Sequence, residues 1–376
     1  GALTGSILFP LALLPILGFL RVGFLVGLLN LAAAAVLGWA LRGVPEEGAF
    51  SRAAKIILIF GAAALISGFI FSSQLESFFI RKIFGGGHEV LFNQNSPYQN
   101  IILTQRGGKL SLFLNWDAQF ESGQEEKRYH ETFAHPAMNF LGEKAGRVLV
   151  LGGGDGLLLR EMVEYPDVKK ITLVDIDPLM IRLAKNYPML AELNKNSMSD
   201  PRLEAINDDA FSWLLRREKY AEKFDIIFID FPDPLDDILG RLYSQEFYLL
   251  VQRNLKDTGM VVVQAGSLPS QIHDLVKKTL QGAGFRTLSL HPGGRYAPSA
   301  PEGFFESAFI AASPSWENIK GLYEALKKTS PEVISPYLAD ESIPEVITSN
   351  SIFHPAKFVA WRGMFARFLQ IHAQQK

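Results

Sequence analysis

Two long runs near the N-terminus contain almost no polar positions. Residues 20–41 carry Arg21 close to one end, Arg42 just beyond the other, and nothing charged between. Residues 53–71 are similar, broken only by Lys55. Wound as a helix, either run reaches across a bilayer core of about 30 Å, so both are predicted to be transmembrane helices. Their many Gly and Ala residues fit helices that pack closely in a membrane. An earlier apolar run, residues 6–18, is too short to span and holds Pro10 and Pro15, so it reads as a partial or re-entrant helix. The chain opens on Gly-Ala-Leu inside this run, as a fragment of a longer membrane protein or a processed product would. A secretory signal peptide and a buried helical hairpin are the competing readings of the pattern. Flanking charge leaves the orientation open: Arg42, Arg52 and Lys55 lie on one side of the second run, Arg81 and Lys82 on the other. Residues 72–84 are amphipathic, and Gly85, Gly86 and Gly87 make a hinge.

Beyond the hinge the pattern shortens. Residues 90–92, 100–105 and 110–115 read as strands, with turn signals at 93–97 and at Gly107-Gly108 between them, which predicts a small antiparallel β unit. Residues 121–127 are polar and read as a loop. Residues 129–141 carry Phe133, Ala137 and Phe140 or Leu141 at helical spacing. From Arg147 strands and helices alternate. Strands are expected at 147–151, 170–174, 202–206, 224–229, 259–264, 285–290 and 308–311, and helices at 157–165, 178–186, 210–219, 245–255 and 271–281. Alternation of this kind predicts an α/β fold with a mostly parallel sheet covered on both faces. The remainder, 316–376, reads as helices separated by proline-containing loops. The expected organisation is therefore a transmembrane segment (1–84), a small β domain (85–128), an α/β domain (129–313) and a helical C-terminal extension (314–376).

The first α/β strand runs into RVLVLGGGDG. Glycines directly after a buried strand and before an apolar helix let the backbone approach a ligand, and the helix start supplies unpaired N–H groups. Acids stand at the ends of successive strands: Asp155 in the glycine turn, Asp175 after the second, Asp209 in Asn207-Asp208-Asp209-Ala210 after the third, and Asp230 after the fourth, with Asp233 three residues on. Ligands of open α/β sheets bind at that edge, and an acid about twenty residues past the glycines can hold ribose hydroxyls. Capping of the next helix is the alternative role for Asp175, Asp177 or Asp209.

Charge narrows the ligand. GGGDG lacks the Gly-Lys-Ser/Thr ending of a phosphate-binding loop, and a diphosphate would be repelled by Asp155. A cationic nucleoside fits better: S-adenosylmethionine (AdoMet) or its decarboxylated form. AdoMet carries a carboxylate beside its amine, which Asp155 would oppose, whereas decarboxylated AdoMet presents only the amine. The formal charge of −2 implies no attraction to nucleic acid. The absence of cysteine removes thiolate nucleophiles, disulfides and cysteine metal sites. No His/Asp cluster has metal-ligand spacing, so no metal and no tightly bound cofactor are expected.

The segments RVLVLGGGDGLLLREMVEYPDVKKITLVDID, NDDAF, FDIIFIDFPDP, LYSQEFY and VVVQ, with SPYQNI and RYHETFAHP upstream, resemble the spermidine synthase family of aminopropyltransferases over residues 88–311. With the apolar N-terminus the chain is similar to that family's membrane-attached branch. The resemblance implies a Rossmann-like, seven-stranded methyltransferase-type sheet after a small β domain. It implies a polyamine acceptor such as putrescine, and decarboxylated AdoMet as co-substrate. On the donor side it implies Gly152, Gly154 and Asp155 in the turn, the last meeting the donor amine; Asp175 at the family's ribose-binding acid, usually Glu; Asp209 and Ala210 at adenine; and Gln99 and His130 at nucleoside-pocket positions. Asp230 matches the catalytic acid, and Asp233, Tyr129 and Gln264 match acceptor-side residues, with Tyr296 a looser match.

Departures fall on the acceptor side. Phe231 and Pro232 stand where the family often has small polar residues, Asp236 and Asp237 follow, and residues 294–305 depart from the soluble enzymes. In the expected reaction a polyamine nitrogen attacks the carbon beside the sulfonium, with Asp230 orienting the ammonium and helping remove its proton. Tyr129, Phe231 and Tyr248 offer aromatic faces for a polycation, although Tyr248 fits ordinary packing better. Two other functions stay open at this level: an AdoMet-dependent methyltransferase on a lipid or membrane amine, and a non-catalytic polyamine-binding module. The expected location is the inner or plasma membrane, multi-pass, with the catalytic domain cytoplasmic, and the expected partners are the lipid bilayer, small-molecule substrates and a second copy in a homodimer.

Overall fold

The computed structural model describes residues 9, 13–40, 52–83, 87–217, 222–234, 237–267, 270–292 and 307–331. They fall in two compact units, divided between Glu121 and Ser122. Tyr296, Asp236, most of the 6–18 run and residues 332–376 of the expected C-terminal extension lie outside the described residues.

The described part of the first unit includes helices α1 (Leu14–Ala40), α2 (Arg52–Ile70) and α3 (Ser72–Ile83). Non-helical backbone at Gly18 kinks α1. Helices α1 and α2 pack closely through glycine: Gly27 faces Leu65, and Gly68 leaves room for the Phe24 ring. Arg21, at the polar end, donates from Nε to Ser72 Oγ at 2.9 Å. Among the described residues, Leu20–Ala40, at 21 residues, is long and apolar enough to cross a membrane, and Lys55–Ile70 of α2 is a shorter apolar stretch.

A four-stranded antiparallel sheet follows in the order β1 (Glu89–Asn95), β2 (Asn100–Arg106), β3 (Lys109–Leu114), β4 (Asp117–Glu121). Its β2–β3 turn is Gly107-Gly108, both with positive φ, as the sequence predicts. Strand β4 was not anticipated. Its turn uses Asn115 (φ 50°) and Trp116 (φ 72°), and a Trp is no turn signal; the strand itself, Asp-Ala-Gln-Phe-Glu, is mostly exposed.

The second unit opens on α4, Gln124–Leu141. The sequence pattern put a loop at 121–127, but Glu125 and Glu126 sit in the first helical turn, where carboxylates oppose the positive helix end. Strands β5 (Arg147–Gly152), β6 (Lys170–Asp175), β7 (Leu203–Asn207), β8 (Phe224–Asp230), β9 (Leu255–Ser267), β10 (Arg286–Leu290) and β11 (Ser307–Ser313) form a seven-stranded sheet in the order β10-β11-β9-β8-β5-β6-β7. The five from β5 to β9 are parallel; β11 and β10 add antiparallel. Helices α5 (Leu157–Met162), α6 (Pro178–Asn186), α7 (Pro188–Leu193), α8 (Ala210–Arg217), α9 (Asp237–Gly240), α10 (Gln245–Asn254), α11 (Gln271–Gly282) and α12 (Trp316–Thr329) connect and flank them. Strand β8 is buried along nearly its whole length, as a central parallel strand should be. From β5 the chain steps to β6 and β7 on one side, then returns to β8 on the other. That reversal makes the carboxyl ends of β5 and β8 the switch point of the sheet, the edge where open α/β sheets bind ligands.

Candidate active site

Gly152 ends β5 in register with Asp230, which ends β8. Gly152, Gly153 and Gly156 have φ of 81°, 68° and 79°, where a side chain would be strained. A Cβ at Gly152 would also strike the Asp230 carbonyl oxygen, far inside the 3.0 Å limit of real Cβ contacts. Gly154 donates its N–H to Asp175 Oδ2 at 3.0 Å, and a Cβ there would lie 2.7 Å from that oxygen. The glycines thus let the ends of β5, β6 and β8 converge.

Three of the predicted acids gather at this convergence. Asp155, partly buried, accepts the Leu157 N–H at 2.9 Å. Burial raises its pKa, and the Glu126 charge adds to this, against the opposing influence of His130, Leu157 N–H and Arg160. Asp175 accepts from the N–H groups of Gly154 and Asp177, yet burial and the charges of Asp177 and Asp155 push it up to about 6. Asp230 is pushed up to about 7 by burial and by the charges of Asp155 and Asp175, with His130 opposing. The raised values mean that negative charge is concentrated in a poorly hydrated place. The Tyr129 hydroxyl stands in the same field: burial first, then the charges of Asp230, Asp233 and Asp155, raise its pKa well above the usual value.

Asp233 accepts from Gln264 Nε2 at 3.1 Å. Tyr243, fully buried, ties this side to the loop after β8: its hydroxyl lies 3.0 Å from the Phe231 carbonyl and 3.4 Å from Gln264 Oε1. Phe231 is 9% exposed and packs against Tyr243 and Phe247, so it belongs to the core rather than to an aromatic face for a ligand. Tyr248 is likewise in the core.

Asp209 combines two roles. Its Oδ1 caps α8 by accepting the Ser212 N–H at 2.9 Å, and its Oδ2 is 2.5 Å from Arg241 Nη2. Ala210 is buried beside it at the start of the helix. Asp177 caps α6 through Leu179 N–H. Capping therefore explains Asp177 and part of Asp209, but not Asp175. Gln99 lies in the first unit, at the β1–β2 turn, where its N–H donates to Ser96 Oγ at 3.0 Å.

His130 is buried on α4. Its Nδ1 lies 2.8 Å from Glu126 Oε1 and 2.9 Å from the Glu126 carbonyl. Glu126, Arg160 and Tyr243 were not singled out in the sequence. The i,i+4 spacing of Glu126 and His130 is the signal that could have found the first; Arg160, inside an apolar run, carried the oddity of a charge on a buried helix. The structure also brings ligand-type atoms of Glu131, His135 and Glu161 within 4.8 Å of one another, which sequence spacing did not reveal. His135 already bonds Tyr165 and Glu161, and Glu161 bonds Arg160.

A sheet-order switch point, a glycine turn and acids at three parallel strand ends define an α/β protein of the Rossmann-like class. The spermine/spermidine synthase domain matches residues 126–315, half of the chain, and the chain belongs to that family. It is 41% identical over 321 residues to polyamine aminopropyltransferase 2 of Ralstonia nicotianae, covering 84% of this chain and 59% of that protein. It is 36% identical over 314 residues to the polyamine aminopropyltransferase of Leptospira interrogans, covering 83% and 60%. The chain thus spans about three-fifths of the length of these curated relatives. The crystal structure of spermidine synthase from Thermotoga maritima shares its fold, with a TM-score of 0.52 at 21% identity over 72% of this chain and 84% of that one. A spermidine synthase in complex with the transition state analogue AdoDATO aligns equally well, with a TM-score of 0.52 at 22% identity and the same coverage.

Proposed function

We propose that this chain transfers an aminopropyl group from decarboxylated AdoMet to an amine of a polyamine, putrescine giving spermidine, with methylthioadenosine released. The observation that carries this is the gathering of Asp155, Asp175 and Asp230 where the glycine turn brings the ends of β5, β6 and β8 together, with the half-buried Tyr129 in the field of Asp230, Asp233 and Asp155. Donor and acceptor are both cations, and a poorly hydrated carboxylate cluster gains most by binding cations. The relatives from Ralstonia nicotianae and Leptospira interrogans are named polyamine aminopropyltransferases, in agreement with this chemistry. In the proposed reaction the attacking nitrogen forms a bond to the methylene carbon. The carbon–sulfur bond breaks with its electron pair going to sulfur, which becomes a neutral thioether. The nitrogen's proton passes to Asp230. Asp155 holds the donor amine, Asp175 the ribose, and Asp209 with Ala210 the adenine, while His130 contributes to the nucleoside side. Asp233, oriented by Gln264, takes a distal ammonium of the acceptor, and Tyr129 borders both.

Titration calorimetry tests the donor. Decarboxylated AdoMet should bind at least about 10-fold more tightly than AdoMet, the scale of one charged hydrogen bond of about 1.5–3 kcal/mol. Asp155→Asn should erode the preference. Equal or tighter binding of AdoMet by the native protein would overturn the aminopropyl assignment and favour methyl transfer.

The helix Leu20–Ala40 is proposed to lie in a lipid bilayer, with α2 beside it and residues 122–331 on the cytoplasmic side, where a nucleoside donor is made. Leu29, Val36, Leu37 and Trp39 of α1 and Ile57, Ile59 and Phe60 of α2 are each more than half exposed, an apolar surface that water does not favour. Protease added to inverted vesicles should cleave residues 122–331, and protease added to right-side-out vesicles should not. The opposite pattern rejects the orientation, and recovery of the chain in a carbonate-washed supernatant rejects insertion.

A further inference from the structure

We propose that Glu126 is a positioning residue that fixes the His130 ring by holding Nδ1 and leaves Nε2 to exchange a proton in the field of the Asp155 and Asp230 carboxylates, a role that rests on the reading given under Proposed function. Both groups within reach of Nδ1 are the Glu126 carboxylate, at 2.8 Å, and the Glu126 carbonyl, at 2.9 Å. Neither can donate, so Nδ1 carries a hydrogen and any further proton is gained or lost at Nε2. The charges of Asp155 and Asp230 both act on the ring, and the ring acts on theirs. The His130 charge opposes the rise that burial imposes on these two acids, and Glu126 favours the charged form of the ring.

Glu126 is itself held. Arg160 Nη2 bonds Glu126 Oε1 at 2.8 Å, Arg160 Nε bonds Glu161 Oε1 at 2.8 Å, and Glu161 Oε2 lies 3.3 Å from His135 Nε2. The Glu126, Arg160 and Glu161 side chains are 3–5% exposed. Two buried carboxylates face one guanidinium, so a further positive charge is needed to balance them, and His130 and His135 are the groups in contact that can supply it. Burial alone would strip the His130 proton. The bond to Glu126 and the charges of Asp155, Glu126 and Asp230 outweigh burial and raise its pKa. Burying an ion cluster is costly, and a cluster that served only to fill space would be replaced by apolar side chains without loss. Here its charges act on the proposed reacting acids.

Glu126→Gln is the test, because Gln keeps the shape and an acceptor oxygen while removing the charge. Histidine-¹⁵N NMR of the native protein should show His130 with Nδ1 protonated and the ring cationic at pH 7. In Glu126→Gln its pKa should fall by about 1–3 units, the usual effect of one adjacent opposite charge. The acidic limb of the kcat/KM profile should move to higher pH, and the two profiles should converge above it. A purely structural role would lower the whole profile without moving the limb. An unprotonated Nδ1 in the native protein, or an unmoved His130 titration in the variant, overturns the proposal; the native spectrum decides even if Glu126→Gln does not fold. Absence of aminopropyl transfer by the native protein would count against the proposed reaction, while the imidazole titration would still decide the role of Glu126.

Discussion

Asp230→Asn is expected to cut turnover by about 10²–10⁴ while leaving the fold and much donor affinity intact. Asn is nearly isosteric with Asp but cannot take a proton, and that range is typical of a lost general acid–base group. The position is special because β8 ends there, next to Gly152 and beneath the field of Asp155 and Asp175. Burial and those charges push the Asp230 carboxyl up to about 7, so the native rate should rise with pH through that value as the base ionises. The amine acceptor also loses its proton as pH rises, so both effects act in one direction. Stability should run the other way. An acid whose folded pKa is raised contributes stability below its unfolded value near 4, and loses it as pH rises through about 7. The native protein's melting temperature should therefore fall between pH 5 and pH 8, and Asp230→Asn should flatten that fall. A variant that is less active yet more stable at pH 8 is a signature that simple misfolding cannot produce. Near-normal turnover with saturating substrates would remove Asp230 as the base. Asp233→Asn provides the contrast. Its proposed role is to hold a distal ammonium, so it should raise the acceptor KM more than it lowers kcat.

Gly152→Ala is expected to destabilise the second unit by about 2–6 kcal/mol, adding about 1–3 kcal/mol of backbone strain at positive φ to a similar overpacking cost. The backbone at Gly152 has φ 81°, and the new methyl would run into the Asp230 carbonyl of the adjacent strand. That obstacle is backbone on backbone, so no flexible side chain can yield. Relief requires β5 and β8 to part, and the opening lies where Asp155 and Asp230 must cooperate. Urea unfolding followed by tryptophan fluorescence and donor calorimetry would measure both losses together. Gly108→Ala is the control: it also has positive φ, at 83°, but a Cβ there meets nothing within 4 Å. It should show the strain cost alone, with no loss of donor binding. Equal effects at the two glycines would mean that the close approach at Gly152 is not needed.

The alternating part of the chain was readable because its strands are central and parallel. Both faces of β5 and β8 are covered, so they appear as continuous apolar runs, and the glycines and acids at their ends interrupt those runs visibly. Strand β4 was not readable, because an exposed edge strand has no apolar face to show and its Asn115-Trp116 turn lacks glycine. The start of α4 was misread for a related reason. Gln124 to Lys127 is polar in sequence, yet Glu126 is buried, because Arg160 from another helix satisfies it. The i,i+4 spacing to His130 is a local hint of Glu126, but nothing local announces its partner Arg160, 34 residues away.

The same division applies to the site. Sequence alone determined the α/β class, the glycine turn, and the acids at strand ends, since these follow from local rules: apolar length, glycine freedom and the position of a residue after a strand. Tertiary structure decided what each group does. It put Gly152 beside Asp230, engaged both oxygens of Asp209 with Ser212 and Arg241, drew Phe231 into the core, and linked His130 through Glu126 to Arg160. The reason is physical: a carboxylate's ionisation and a ring's orientation depend on burial and on charges a few ångströms away, and strand order, not position along the chain, sets which residues those are.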